Sequence, residues 1–400
     1  HVQLGKMGPI DTFVSARFQI LGNGFELLNS RFEGSGFDLR GQGHLIDQTA
    51  LFDLTGFLDV NWLDEFLKTR GLLAGNAEIA VTLDTSASAL LAADVTAPHL
   101  EAAGFPIDNV TGRLELVGSS LRGTLDSARF HDGTISGSYV LGEFGGAFPH
   151  TFHVDAEGVS LAGILGNIRV NSAGLAATVD ASVDCAWNGR SFPQGNGHAD
   201  VLFQGGSPGL AIDGPLTVDL TGEKILLFDA QQLSIGKSTA RWQGALTLGT
   251  WEPAWSIVTD DAHFEEIGPL VNTWVGSTIL PTNLEGGGKL DVNLSGPFSE
   301  LVVTARVDAQ PLRLPPIELD RLVANATIGG GLLSIGTAYF EVGDGFGEIE
   351  GGLAWGESAG EDQLDLMIRG SRIPLESIAT WIDLEDWVDR GVLSFDGVLD

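Results

Sequence analysis

Two serines lie in the Gly-x-Ser-x-Gly pattern of a hydrolase nucleophile elbow, at Ser207 and Ser358. In that chemistry the serine hydroxyl attacks a carbonyl group, so the fold must supply a helix after the serine and a histidine base later in the chain. All eight histidines precede Ser358, and an alternating strand pattern follows it. Ser207 is followed by Pro208 and by another strand pattern. We therefore interpret both serines as turn residues and predict no catalytic residue.

The other groups that could do chemistry are histidine and carboxylate pairs. His150 and His153 are three residues apart, which in a strand places their side chains on opposite faces and not around one metal ion. Acidic pairs such as Asp260-Asp261 and Glu265-Glu266 could act as acid and base. Adjacent acids are ordinary on the surface of a chain with 53 acidic residues, and near a helix start they favour its N-terminus. The sequence predicts no metal ion and no cofactor.

Composition excludes several classes of partner. The net charge is −32, with 53 acidic against 21 basic residues, which disfavours binding to nucleic acid. The single cysteine, Cys185, excludes an internal disulfide framework. No apolar run approaches the ~18 residues of a membrane-spanning helix. The alternating pattern is already under way at the first residue and is broken off at the last, so the chain is expected to be a fragment of a longer polypeptide.

Hydrophobic periodicity describes the elements that would hold any site. Apolar residues recur at every second position, as in Leu290, Val292 and Leu294, which predicts strands with one apolar and one polar face. Turn signals every ~10–13 residues favour antiparallel meanders. The period changes in four short stretches that begin near Leu63, Leu161, Phe264 and Leu375, each typical of an amphipathic helix.

The four helices recur about every 100 residues, which is typical of a repeat array. We predict one continuous elongated domain. Its predicted parts are the end of a repeat unit (1–70), two repeat units (71–170 and the more divergent 171–276), a further unit (277–390) and the start of another (391–400). A sheet with one apolar face must cover that face, by packing on a second sheet, by closing or by curling into a trough. Four short helices are too few to cover so many strands.

Four tryptophans, at positions 62, 274, 381 and 387, lie in or beside the predicted helices. One interpretation is packing of helix against sheet. The other is a rim that contacts acyl chains, because an indole ring suits a boundary between apolar and wet surroundings.

Several motifs together resemble a known family. They are the Gly-x-Leu-x-Val-x-Leu opening at 288–294, the Pro-Ile corners at 106–107 and 316–317, the Asp-Gly turns before glycine-rich strands and the helix entry at 373–378. With these features the chain resembles the AsmA-like superfamily, whose members include TamB, AsmA and YhdP, and most closely its TamB-like type. The resemblance covers nearly the whole chain.

The resemblance implies a fold class, a cellular location and binding partners. The implied fold is all-β, an elongated repetitive antiparallel sheet curled into a half-pipe, or β-taco, with a hydrophobic groove and a few short amphipathic helices. The implied place is the periplasm of a double-membraned bacterium, with an inner-membrane anchor outside this chain. The implied partners are phospholipid acyl chains and an outer-membrane barrel protein, the latter bound through a C-terminal part that this chain lacks.

Three functions compete at this point. The first is a conduit that carries phospholipids along the groove between the inner and outer membranes and aids outer-membrane protein assembly. The second is a structural or adhesive β-solenoid with a filled core and no lipid, and the third is an esterase. For the conduit we predict a groove lined by Ile79, Val81, Leu83, Leu114, Leu116, Leu216, Val218, Leu220, Leu290, Val292, Leu294, Leu364, Leu366 and Ile368.

Overall fold

The structure is a computed structural model. It describes residues 12–67, 73–102, 104–142, 149–167, 174–188, 195–207, 209–221, 225–247, 252–275, 283–297, 300–315, 317–354, 363–375 and 392–399, and the single positions 172, 250, 280 and 377. The chain divides into two compact units, His1–Asn167 with Val179–Val201 and Leu220–Glu223, and Ile168–Thr178 with Leu202–Asp219 and Lys224–Asp400.

The described residues form twenty-four strands and three helices. The first ten strands are β1 (Thr12–Leu21), β2 (Gly24–Gly34), β3 (Phe37–Ile46), β4 (Thr49–Asp59), β5 (Leu73–Asp84), β6 (Leu91–Ala102), β7 (Phe105–Val117), β8 (Ser120–Phe130), β9 (Gly133–Leu141) and β10 (Pro149–Ser160). The next six are β11 (Leu175–Asn188), β12 (Asn196–Gly205), β13 (Leu210–Leu220), β14 (Ile225–Ile235), β15 (Ser238–Thr247) and β16 (Glu252–His263). The last eight are β17 (Glu285–Ser295), β18 (Val302–Leu314), β19 (Ile317–Leu319), β20 (Arg321–Gly329), β21 (Leu332–Val342), β22 (Gly345–Ala354), β23 (Gln363–Pro374) and β24 (Val392–Leu399).

Strands pair mainly with their neighbours in sequence. In the first unit, β1 to β10 form an antiparallel meander. In the second unit, β14 to β24 do the same, with β18 pairing both the short β19 and β20. A two-residue contact between β11 and β13 is parallel. The predicted fold class, all-β with an open antiparallel sheet, is confirmed, while its curl and its groove stay predictions.

Three predicted helices are present as α1 (Val60–Leu67), α2 (Leu161–Asn167) and α3 (Phe264–Val275). The Asp59 carboxylate accepts a hydrogen bond from the Asn61 N–H, and the Ser160 hydroxyl accepts one from the Gly163 N–H, so both residues cap a helix start. The fourth predicted helix, from Leu375 through Ile378 to Ile382, lies almost wholly outside the described residues.

The number of strands between one helix and the next is nearly constant. Six strands, β5 to β10, separate α1 from α2, and six more, β11 to β16, separate α2 from α3. Six long strands and the three-residue β19 then lead from α3 to Pro374. The helices begin at Val60, Leu161 and Phe264, about 100 residues apart.

One predicted corner is wrong. Pro106-Ile107 was expected to turn the chain, but both residues lie inside β7, where Pro106 pairs with Glu101 and Ile107 with Leu100. The chain turns between Ala102 and Phe105 instead. Proline is tolerated near the first residue of a strand, so this Pro-Ile pair marks a strand start.

Candidate functional site

The strand register assembles one apolar face in the first unit. In this face, residues that pair side by side across neighbouring strands make rows. Row 1 is Ile79, Val95, Gly112, Leu125, Gly137 and Val154, and row 2 is Val81, Ala93, Leu114, Gly123, Tyr139 and Phe152. Row 3 is Leu83, Leu91, Leu116, Leu121, Leu141 and His150. The five predicted groove residues of this unit, Ile79, Val81, Leu83, Leu114 and Leu116, therefore share a face.

The opposite face of the same strands is polar. Arg113 on β7 lies 3.0 Å from the Asp94 carboxylate on β6 and 2.9 Å from that of Glu115. The hydrogen bond that Arg113 donates to Glu115, followed by the charge of Asp94, raises the pKa of the Arg113 guanidinium. All three side chains are more than one third exposed, as expected of a face in water.

The second unit repeats this arrangement. Row 5 is Ile257, Val292, Ala305, Ala326, Ile335, Gly351 and Leu366, and row 6 is Trp255, Leu294, Val303, Ile328, Leu333, Leu353 and Leu364. Row 4 holds Leu290, Val307 and Ala324. Ile368 pairs with Ile349 on the same face of β22 and β23. The six predicted groove residues of β17 and β23 are thus brought together on one apolar face.

The three remaining predicted residues lie on β13. Leu216, Val218 and Leu220 alternate with Thr217 and Asp219, so they share one face of that strand. Leu216 and Leu220 are buried.

Most of these side chains are neither buried nor fully exposed. Of the fourteen predicted groove residues, Val81, Leu216 and Leu220 are buried, and Leu364 is exposed by 42%. The other ten are half-buried. Aliphatic side chains in a filled core are close-packed on all sides and almost inaccessible. The apolar face therefore offers surface to a further apolar group.

One end of the face in each unit is closed by a helix. Val60 of α1 packs with a row of small residues, Ala77, Ala97 and Ala128. Phe264 of α3 packs with Ala262 and Ala309 in the same way. Among the described residues, ten of the 27 buried hydrophobic side chains are alanines. Small side chains let the helix approach the sheet closely, so tight packing is concentrated at this helix end.

Aromatic side chains with polar atoms lie on the apolar face far from the helix. In the first unit the Tyr139 hydroxyl is 2.7 Å from Nδ1 of His150, and the His150 ring stacks on Trp187 with a centroid separation of 4.6 Å. In the second unit Trp242 and Trp255 meet edge to face at 5.1 Å.

The sequence did not single out these aromatic residues. The alternation of each strand indicates which face its aromatic residue lies on. It does not show that the aromatic residues of different strands meet, because that depends on the register. Of the four tryptophans considered from the sequence, Trp62 packs edge-on against Phe37 at 5.6 Å, which is helix-to-sheet packing. The side chains of Trp274, Trp381 and Trp387 lie outside the described residues.

An open pocket of about 550 Å³ lies in the first unit, lined by residues of β9 to β12. His153 lines this pocket together with Asp184 and His198. Nδ1 of His153 is 2.9 Å from the Asp184 carboxylate and Nε2 is 3.0 Å from that of Asp155, so the ring bridges β10 and β11. The carboxylates of Asp184 first, and of Asp155 next, accept hydrogen bonds from the His153 ring and raise the pKa of His153. As predicted, His150 and His153 lie on opposite faces.

We expect the hydrogen bonds of His153 to stabilise the folded state most at low pH. Because the pKa of His153 is raised in the folded state, its stabilisation is complete below the unfolded value of about 6.5 and is lost as the pH rises through the folded value. An NMR titration should show a His153 pKa above 6.5, which falls in Asp184→Asn and stays unchanged in the distant Asp94→Asn. An unshifted His153 in the wild type would contradict the bridge.

The remaining reactive residues give no catalytic arrangement in the described part of the chain. Ser207 is exposed in a bend, and the strand β13 begins three residues later, where an elbow needs a helix. Ser358 lies outside the described residues. Burial raises the pKa of the Cys185 thiol, which disfavours the reactive thiolate. No group of three or more His, Cys, Asp or Glu side chains among the described residues is arranged to hold a metal ion.

No helix in the described ranges is long and apolar enough to cross a membrane. Comparison of the whole chain with known proteins identified no matching family model, curated protein or solved structure.

Proposed function

We propose that the apolar sheet face binds phospholipid acyl chains and conducts them between two membranes. The observation that carries the proposal is the partial exposure of most of the aliphatic side chains that the register places side by side in rows 1 to 6. Such a face lowers its free energy when another apolar surface covers it, by about 25 cal/mol for each Å² removed from water.

Acyl chains suit this face better than a further strand would. Each methylene gains about 0.8 kcal/mol on burial and needs no polar partner. An added strand would bring backbone N–H and C=O groups that each require a hydrogen bond, which aliphatic side chains do not supply. A lipid tail can also slide from strand to strand along the rows, because their members are aliphatic or small except for Tyr139, Phe152, His150 and Trp255.

The biological setting of the proposal comes from the resemblance to the AsmA-like superfamily. In that setting the chain is part of a bridge across the periplasm of a double-membraned bacterium, anchored in the inner membrane by a segment outside this chain. The bridge passes phospholipids to the outer membrane and, through an outer-membrane barrel partner, aids protein assembly there. The acidic polar face supports this setting, because it keeps the outer surface in water and away from anionic headgroups.

The alternative function, a structural or adhesive β-solenoid, requires a filled core. Close packing of that kind is found at the helix end, around Ala77 and Ala309, and in the cluster of Phe340 with Ile373. In rows 2, 3, 5 and 6 most side chains are only half-buried, although Val81, Ala93, Leu141 and Val303 are buried. The distribution of burial favours the conduit over the solenoid.

Mass spectrometry of lipids extracted from the purified chain tests the proposal. After expression in the periplasm of a double-membraned bacterium, we expect co-purifying phospholipids in at least equimolar amount. A soluble periplasmic protein purified in parallel measures the lipid carried over non-specifically. Lipid at that background level would contradict the proposed function.

A further inference from the structure

The apolar face of the first unit has two chemically different ends. At the helix end, Val60 packs against Ala77, Ala97 and Ala128. At the other end lie Tyr139 in row 2 and His150 in row 3, with Trp187 stacked on His150. Between the two ends, rows 1 to 3 contain aliphatic residues, glycine and Phe152. The polar atoms of these aromatic side chains therefore lie at the end of the apolar face that is opposite the helix.

The distance between the ends fits a lipid tail. From Ile135, which packs against the helix-end cluster, to Leu141, which pairs with His150, the chain advances six residues along β9, which is roughly 20 Å at about 3.3 Å per residue. The tails of one bilayer leaflet fill about half of the ~30 Å hydrocarbon core, or about 15 Å. A tail lying parallel to the strands is thus accommodated between the helix end and the aromatic end.

Tyr139 can donate a hydrogen bond to a lipid. Burial raises the pKa of Tyr139 to about 12, so its hydroxyl keeps its proton. In the tautomer with hydrogen on Nδ1, His150 donates to the Tyr139 Oη at 2.7 Å, which leaves the hydroxyl hydrogen for an outside acceptor. Phosphate and ester oxygens are acceptors of this kind. Tyrosine and tryptophan are enriched where an apolar region meets water, for the same reason.

The apolar face of the second unit also has a helix end and an aromatic end. Trp255 lies in row 6 and Trp242 pairs with Ile257 of row 5. Phe264 and Ala309 mark the opposite, helix end of that face. Both units thus place amphipathic aromatic rings at the end of the apolar face that the helix leaves uncovered.

We infer that an acyl lipid lies along the strands of the first unit with its methyl end toward Ala128 and Ile135 at the helix end and its phosphate or ester group at Tyr139, His150 and Trp187. This orientation rests on the proposed function and adds to it the binding direction and a site for the polar part of the lipid. The shared chemistry is an acyl chain with an oxygen-rich head.

Two photoreactive phosphatidylcholines in phosphatidylcholine vesicles test the orientation. One carries a diazirine near the methyl end of a tail, and the other carries it in the headgroup. After irradiation of the full chain, we expect the tail probe to label the peptide with Ala128, and the headgroup probe to label those with Tyr139 and His150. The two probes labelling the same peptides, or the reverse sets, would overturn the orientation.

Tyr139→Phe isolates the hydrogen bond, and Tyr339→Phe is its matched control. Tyr339 is the second tyrosine of the chain and is 53% exposed between the buried Ala338 and Phe340. We expect Tyr139→Phe to lower headgroup labelling by roughly three- to tenfold, the range for one hydrogen bond, with Tyr339→Phe unchanged. Equal labelling in Tyr139→Phe and wild type overturns the inference.

Absence of labelling by both probes overturns the proposed function as well, whereas tail labelling with a misplaced headgroup overturns the orientation alone. A fatty acid with the same tail probe shows whether the phosphate is required.

Discussion

Val292→Asp is expected to lower bound phospholipid by about ten- to a hundredfold while the strand stays folded. Val292 is half-buried in row 5, between Ile257 on β16 and Ala305 on β18. An acyl chain lying over this position would have to desolvate the new carboxylate, which costs on the order of 1–3 kcal/mol or more without a partner. With no lipid bound, the carboxylate remains in contact with water, so folding loses much less. Lipid transfer between vesicles and circular dichroism on the same sample measure the two effects.

Asn293→Asp is the matched control for that change. It adds the same charge one residue further along β17, where the side chain is exposed on the polar face. We expect transfer and folding to match the wild type. If Val292→Asp unfolds the second unit, its side chain belongs to a filled core and the solenoid function is favoured. If Val292→Asp transfers lipid normally, the apolar face is not the route.

Ile373→Ala is expected to have the largest effect on stability, lowering the free energy of unfolding by about 2–5 kcal/mol. Ile373 has no exposed surface and packs with Phe340 and Val342 in a cluster at the end of β23. Removing three methyl or methylene groups there leaves a cavity that rigid neighbours cannot fill. Urea unfolding followed by circular dichroism measures the change.

Leu366→Ala on the same strand is the comparison. Leu366 is half-buried in row 5 and pairs with Gly351, which has no side chain to pack against it. We expect a loss of about 1 kcal/mol, roughly half the value for complete burial of such a side chain. Equal losses for Ile373→Ala and Leu366→Ala would show that row 5 is packed as tightly as the cluster of Ile373 and Phe340, contrary to the proposed function.

The strands and the apolar face could be predicted from the sequence because both depend on local periodicity. Alternation at Leu290, Val292 and Leu294 determines which side chains share a face before any pairing is known. The shift from a period of two to one of 3.6 likewise locates the helices that begin at Val60, Leu161 and Phe264. These features need no information about distant residues.

The aromatic clusters and the helix end could not be predicted in this way. Tyr139, His150 and Trp187 meet because β9 and β10 pair in one register, with His150 opposite Leu141, and hydrogen bonds place β11 beside β10. A shift of one residue would send each side chain to the other face. The alanines under α1 were missed for a related reason, since a small side chain contributes little to hydrophobic periodicity. Pro106 was misread as a corner because proline serves both turns and strand starts.

Photo-crosslinking at Val292 tests most directly whether the apolar face holds acyl chains. Benzoylphenylalanine is introduced at Val292 in one sample and at the neighbouring Asn293 in another, in cells of a double-membraned bacterium, and the irradiated chains are purified for intact mass spectrometry. We predict a phospholipid adduct at position 292 and none at position 293, because the two side chains point to opposite faces of β17. Equal adducts at both positions, or no adduct at position 292, would contradict the account.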